Sequence, residues 1–109
     1  MTNEQIRLLS KMKKLINEGQ RRFANRKDRD YLASLLELGI TESEAWNYIL
    51  RLNVHYYYPD FKPFYLKDGE ALVFKMKIND DIAYIKLKIE EYDNGEETVC
   101  LSFHKDTKI

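Results

Sequence analysis

Cysteine occurs once, at Cys100, and proline twice, at Pro59 and Pro63, in a chain of 109 residues. A lone cysteine excludes an internal disulfide and fits a reducing compartment, so the expected location is the cytoplasm. Histidine is nearly as scarce, and His55 and His104 with one cysteine do not make a zinc-ligand set. The four glycines fall at the ends of helical patterns or in turns, which leaves no glycine-rich phosphate loop. No serine stands in a nucleophile-elbow context. No apolar run approaches the ~20 residues that a membrane helix needs. The stretch Met1 to Ser10 lacks the basic-then-apolar order of a secretory leader. Neither a cofactor, a metal nor a membrane partner is expected.

An excess of one charge sign is missing too, since Lys plus Arg and Asp plus Glu are 18 each. The balance is uneven along the chain. Residues 1–30 hold nine basic and four acidic side chains, and the remainder holds nine basic and fourteen acidic. Binding of nucleic acid by bulk charge is therefore disfavoured, whereas a local basic patch is not. Hydrophobic residues at 44% and charged residues at 33% are ordinary for one globular domain spanning residues 1–109.

Three helical patterns lead the chain. Ile6, Leu9, Met12, Leu15 and Ile16 recur at helical spacing, predicting an amphipathic helix from about Asn3 to Glu18, with Gly19 just past its end. Gln20 to Ala24 is a short linker or strand. Asn25 is placed to cap a second helix, with Asp28 in its first turn, Tyr31, Leu32, Leu35 and Leu36 on its buried side and Gly39 as its stop. Thr41 and Glu44 form a capping box for a third helix from Glu42 to about Leu52, which buries Trp46, Ile49 and Leu50. Ile40 and Ala45 flank that cap as a hydrophobic staple.

From Asn53 to Leu66 the character changes. Tyr56, Tyr57 and Tyr58 precede two prolines in five residues, which excludes a helix. These aromatics with Lys62 could stack bases, or could simply anchor the connection on the core. Turns follow at Lys67-Asp68-Gly69, Asn79-Asp80-Asp81 and Asp93-Asn94-Gly95, and between them lie three strands. Leu72, Phe74, Met76 and Ile78 alternate with Val73, Lys75 and Lys77; Ala83, Ile85, Leu87 and Ile89 alternate with Tyr84, Lys86 and Lys88. Val99, Leu101 and Phe103 alternate with Thr98, Cys100, Ser102 and His104. Strand side chains point to opposite faces with a period of two. The pattern thus predicts one apolar face for the helices to cover and one polar face bearing lysines, Tyr84, Cys100, Ser102 and His104.

That polar face could support metal-free cleavage of RNA. A group with a pKa near neutrality moves protons to or from the 2′-hydroxyl and the leaving oxygen, cations stabilise the phosphate, and a hydroxyl orients it. Histidine suits the first task; lysine and tyrosine suit the others. Alternating lysines on an exposed strand are also commonplace, so pattern alone leaves a solvated face open. The paired acids Asp80-Asp81, Glu90-Glu91 and Glu96-Glu97 fall at turns and read as solvated.

The residues resemble a family, the motility quorum-sensing regulator (MqsR-like) toxins of bacterial type II toxin–antitoxin pairs, over most of the chain. Met12-Lys13-Lys14-Leu15-Ile16-Asn17-Glu18-Gly19-Gln20 is similar to the family's stretch at the end of its first helix. Ile49-Leu50-Arg51-Leu52 and the Tyr56-Tyr57-Tyr58 cluster continue the likeness. Ala83-Tyr84-Ile85-Lys86-Leu87-Lys88-Ile89 and Cys100-Leu101-Ser102-Phe103-His104-Lys105 look like its last two strands. The resemblance implies a RelE-like α+β fold, with N-terminal helices on one face of a C-terminal antiparallel sheet. It also implies a metal-independent messenger-RNA endoribonuclease and a cognate antitoxin protein as partner; the ribosome is left open as another. The family's strand tyrosine falls on Tyr84. Its lysine near the chain end falls on His104, and its glutamine of an earlier strand falls near Lys75, both departures in residue type. A lysine after the aromatic cluster falls on Pro59, so that role is lost or moved to Lys62. The expected catalytic residues are therefore His104, Tyr84 and Lys75, with Lys62, Lys86 and Tyr58 holding RNA. The rival expectations are a non-catalytic module for single-stranded RNA and a protein-interaction domain.

Overall fold

The computed structural model describes residues 1–24, 30–59 and 71–106. Among them are three α-helices and a four-stranded mixed sheet: α1 (Asn3–Asn17), β1 (Arg21–Phe23), α2 (Tyr31–Glu37), α3 (Glu42–Leu50), β2 (Leu72–Ile78), β3 (Asp81–Tyr92) and β4 (Gly95–Lys105). A 3₁₀ turn, Val54–Tyr56, follows α3. The architecture is α+β, as a helical first half and a strand-patterned second half imply. None of the helices is long and apolar enough to cross a membrane.

Local chemistry sets the helix ends. Thr2 and Gln5 close a capping box at the start of α1, and Thr41 and Glu44 close the predicted one at the start of α3. Each satisfies two backbone donors that have no partner inside the helix. Gly39 ends α2 with φ +74°, a conformation open to glycine at little cost. Asn79 of the β2–β3 turn donates its side-chain amide to the Leu38 carbonyl at 2.7 Å, so the sheet's first hairpin is tied to the α2–α3 joint.

Helix α2 departs from expectation. Its cap is Asp30, whose carboxylate accepts from the Leu32 N–H at 3.0 Å; Asn25 and Asp28 lie outside the described residues. Starting at Tyr31, the helix turns Ser34 and Leu35 inward and leaves Leu32 and Leu36, four apart on one stripe, exposed at 53% and 78%. Helix α3 is also shorter than predicted, ending at Leu50, which is only half-buried, although Leu52 just beyond it is fully buried.

The strand order is β1-β4-β3-β2. The β2–β3 and β3–β4 pairs are antiparallel, as expected of consecutive hairpins, but β1 joins β4 in parallel. The sheet is therefore mixed rather than antiparallel, and β4 lies inside it. One face carries Leu72, Phe74, Met76 and Ile78, then Ala83, Ile85 and Leu87, then Phe103, all buried. Leu9, Met12 and Ile16 of α1, Leu35 of α2 and Trp46 and Ile49 of α3 complete this core. Burying each large apolar side chain stabilises the fold by ~1.5–3 kcal/mol.

The third strand corrects the predicted alternation. Ser102 pairs with Lys86, but Cys100 pairs with Leu87, so Leu101 is an extra residue, a β-bulge. Upstream of it the parity inverts. Thr98 and Cys100, expected on the polar face, join the core, and Val99, expected in the core, pairs with Lys88 on the outer face. Leu101 itself is only half-buried. The inversion is chemically satisfied because the buried Thr98 hydroxyl donates to the Met12 carbonyl of α1 at 2.9 Å. Downstream of the bulge, Phe103 stays inward, and Ser102 and His104 stay outward as predicted.

Candidate active site on the outer face of the sheet

Register decides which side chains meet on the outer face. Lys75 of β2 pairs with Tyr84 of β3, and Tyr84 pairs with His104 of β4. The three predicted catalytic residues thus stand in one row across three adjacent strands. The Tyr84 and His104 rings stack with centroids 5.3 Å apart and planes 19° apart. Stacking fixes the imidazole's plane beside the phenol. His104 Nδ1 lies 2.8 Å from the Lys105 carbonyl oxygen. A carbonyl can only accept, so Nδ1 carries the proton and the neutral ring's lone pair is on Nε2.

Lys75 is held from two sides. Its ammonium is 2.8 Å from Asp106 Oδ2 and 3.8 Å from the centroid of the Tyr58 ring. Asp106 is fixed in turn by its backbone N–H, which donates to the Ile82 carbonyl at 2.7 Å. Hydrogen bonding to Asp106 first, with smaller contributions from Tyr58, raises the Lys75 pKa above the ordinary lysine value. The lysine is therefore a reliable cation near neutral pH rather than a proton donor or acceptor.

The aromatic cluster divides. Tyr57 packs edge-on against Phe74 with centroids 5.9 Å apart, and its hydroxyl accepts from the Gln5 side-chain amide at 3.0 Å. Tyr56 is half-buried against the core, so both serve as anchors. Tyr58 is 47% exposed, and its backbone N–H donates to the Val73 carbonyl at 2.8 Å, which carries the ring over Lys75 at the edge of β2. Lys86 stands one row along the face, paired with Val73 and Ser102. Lys62 lies outside the described residues.

Sequence reasoning missed Asp106, although it lies two residues beyond His104 on the same strand parity. The signal was there. The Cys100 thiol is buried, its Sγ lies 3.3 Å from the Ser102 carbonyl, and burial pushes its pKa upward, so it is no nucleophile. Among the described residues no cluster of three His, Cys, Asp or Glu side chains could hold a metal ion.

A second tyrosine–cation–carboxylate cluster occupies the other end of the outer face. Arg22 of β1 pairs with Glu97, which also accepts from the Tyr92 hydroxyl. The Tyr92 hydroxyl and then the Arg22 guanidinium hold the Glu97 carboxyl below its ordinary range. This group contains no histidine. On the helix-bearing side, a groove lined by Arg21, Arg22, Glu42, Ser43 and Trp46 has Arg21 already seated over the Trp46 ring at 5.3 Å.

No protein-family model, curated protein or solved structure matches this chain.

Proposed function

We propose that this chain is a metal-independent endoribonuclease, a RelE-like messenger-RNA-cutting toxin of the MqsR-like kind. The observation that carries the reading is the row of Lys75, Tyr84 and His104 across three paired strands. In the proposed reaction His104 Nε2 accepts the proton of an RNA 2′-hydroxyl. The 2′-oxygen bonds to the adjacent phosphorus, and the bond from phosphorus to the 5′-oxygen breaks. The leaving oxygen takes up a proton from the Tyr84 phenol or from water. Lys75 stabilises the charge that gathers on the phosphate. The products are a 2′,3′-cyclic phosphate and a 5′-hydroxyl. Tyr58, Lys86 and Lys62 hold the RNA, and a cognate antitoxin protein restrains the enzyme.

The test is end-group mapping of RNA exposed to the purified protein under excess chelator, beside His104→Ala. Cyclic-phosphate ends from the wild type, with cleavage lowered ~10²–10⁴-fold in the variant, are the expected result. RNA that is bound in a gel shift but stays intact, alone and on ribosomes, would leave a binding module. Absence of any salt-sensitive RNA affinity would point to a protein-interaction domain.

A further inference from the structure

The cations of the outer face are not equivalent. Lys75 is paired with Asp106, Lys88 with Glu90 at 3.3 Å, and Arg22 with Glu97. Lys88 is moreover buried. Two lysines of this face, Lys77 and Lys86, make no ion pair or side-chain hydrogen bond with the described residues. Lys77 is exposed and Lys86 half-exposed.

Their placement relative to the catalytic row is regular. Lys77 pairs with Ile82, one row to one side of Lys75–Tyr84–His104, and Lys86 pairs with Val73 and Ser102, one row to the other. Same-face residues along a strand recur every ~6.6–6.8 Å. That step is comparable to the separation of neighbouring phosphates in an extended single strand of RNA. A cation that pairs with no carboxylate among the described residues therefore stands one phosphate step before the reacting row and another one step after it. Further along, Lys88 and Arg22 are already engaged by Glu90 and Glu97, so the row of available cations is not continued there.

We propose that Lys77 and Lys86 hold the two phosphates on either side of the scissile one. A single strand of RNA then lies along β2 and β3 with three consecutive phosphates over three consecutive rows. Labour is divided within the face: the flanking lysines supply affinity and register, whereas Lys75, already neutralised by Asp106, acts on the phosphate that reacts. The proposal rests on the ribonuclease reading above and specifies its substrate as unpaired RNA of at least three phosphates. A duplex would not follow this track, because its strands coil away from a nearly straight line of cations.

The experiment first maps the bond that the wild type cuts in a short unpaired RNA. That RNA is then made uncleavable by a 2′-deoxy nucleotide at the cut, and each phosphate in turn is replaced by an uncharged methylphosphonate. Affinities for the wild type, Lys77→Ala and Lys86→Ala are read by fluorescence anisotropy. Neutralising either phosphate next to the scissile one should weaken wild-type binding several-fold. One of those two losses should vanish in Lys86→Ala and the other in Lys77→Ala. Each variant should also flatten the salt dependence of log K by ~0.7. If the wild type cuts RNA but both losses persist in both variants, the register is wrong and the ribonuclease reading stands. If both variants bind RNA with wild-type affinity, the lysines serve a protein contact and the proposal falls. If the wild type cuts no RNA, free or ribosome-bound, reading and register fall together.

Discussion

The outer face of the sheet holds two clusters of matching composition. At one end stand Tyr58, Lys75 and Asp106; at the other, Tyr92, Arg22 and Glu97. Each joins a tyrosine, a cation and a carboxylate, yet chemistry is proposed at one alone. The difference is in the neighbours. Beside Lys75 stand a stacked Tyr84–His104 pair and, on either hand, lysines that pair with no carboxylate among the described residues, whereas Arg22 adjoins Val99, Lys88 and a second glutamate. Residue types are therefore a poor guide to a site until register shows what lies in the next strand.

The bulge at Leu101 separates the two ends, so removing it should have the largest effect. Deleting Leu101 forces one parity on all of β4, exposing Thr98 and Cys100 or burying Ser102 and His104. We expect a loss of more than ~4 kcal/mol, seen as failure to unfold cooperatively in urea, while Leu101→Ala costs under ~1 kcal/mol. A deletion variant as stable as wild type would show that the bulge does not set the parity. Next comes a direct contrast between the clusters. Lys75→Ala should lower RNA cleavage ~10²-fold, and Arg22→Ala should leave it unchanged; equal losses would make the two clusters equivalent.

A smaller effect is expected on the inner face. Thr98→Val keeps the shape but removes the bond that the Thr98 hydroxyl donates to the Met12 carbonyl, at a cost of ~1 kcal/mol in thermal or urea unfolding. The smallest concerns pH. Because the folded Glu97 pKa is depressed, its contribution is fully present above the ordinary carboxylate pKa of ~4.3 and is lost as pH falls through the depressed value. Glu97→Gln should therefore be less stable than wild type near neutrality by at most ~1 kcal/mol, and the gap should close in acid. A gap that is constant with pH would assign the effect to packing.

Much of this architecture is written locally in the chain. The box at Thr41 and Glu44 specifies the start of α3, because both partners lie within one turn. Lys75, Tyr84 and His104 share a face on parity alone, since β2 and β3 are regular and His104 lies downstream of the bulge. Upstream, Val99, Leu101 and Phe103 alternate faultlessly on paper, with no glycine or proline to mark an interruption. Thr98 and Cys100 can enter the core because both are small and Thr98 finds a carbonyl there; that partner, Met12, is 86 positions away. The parallel pairing of β1 was hidden for the same reason, as three residues with two arginines carry no hint of a partner in the last strand. In α2 the cap is Asp30, and of the apolar residues read as its buried side Leu35 packs inward whereas Leu32 and Leu36 stay exposed, a choice of face that their spacing alone does not make.

The interior position of β4 has a consequence in time. Its neighbours, β1 and β3, are both made before it, yet neither can be bridged until it arrives. His104 lies on that strand. A growing chain thus holds its helices and first hairpin without a closed sheet, and the row of Lys75, Tyr84 and His104 cannot assemble until β4 has been made. For an enzyme proposed to cut messenger RNA, topology itself would postpone activity until the part of the messenger encoding β4 has been read.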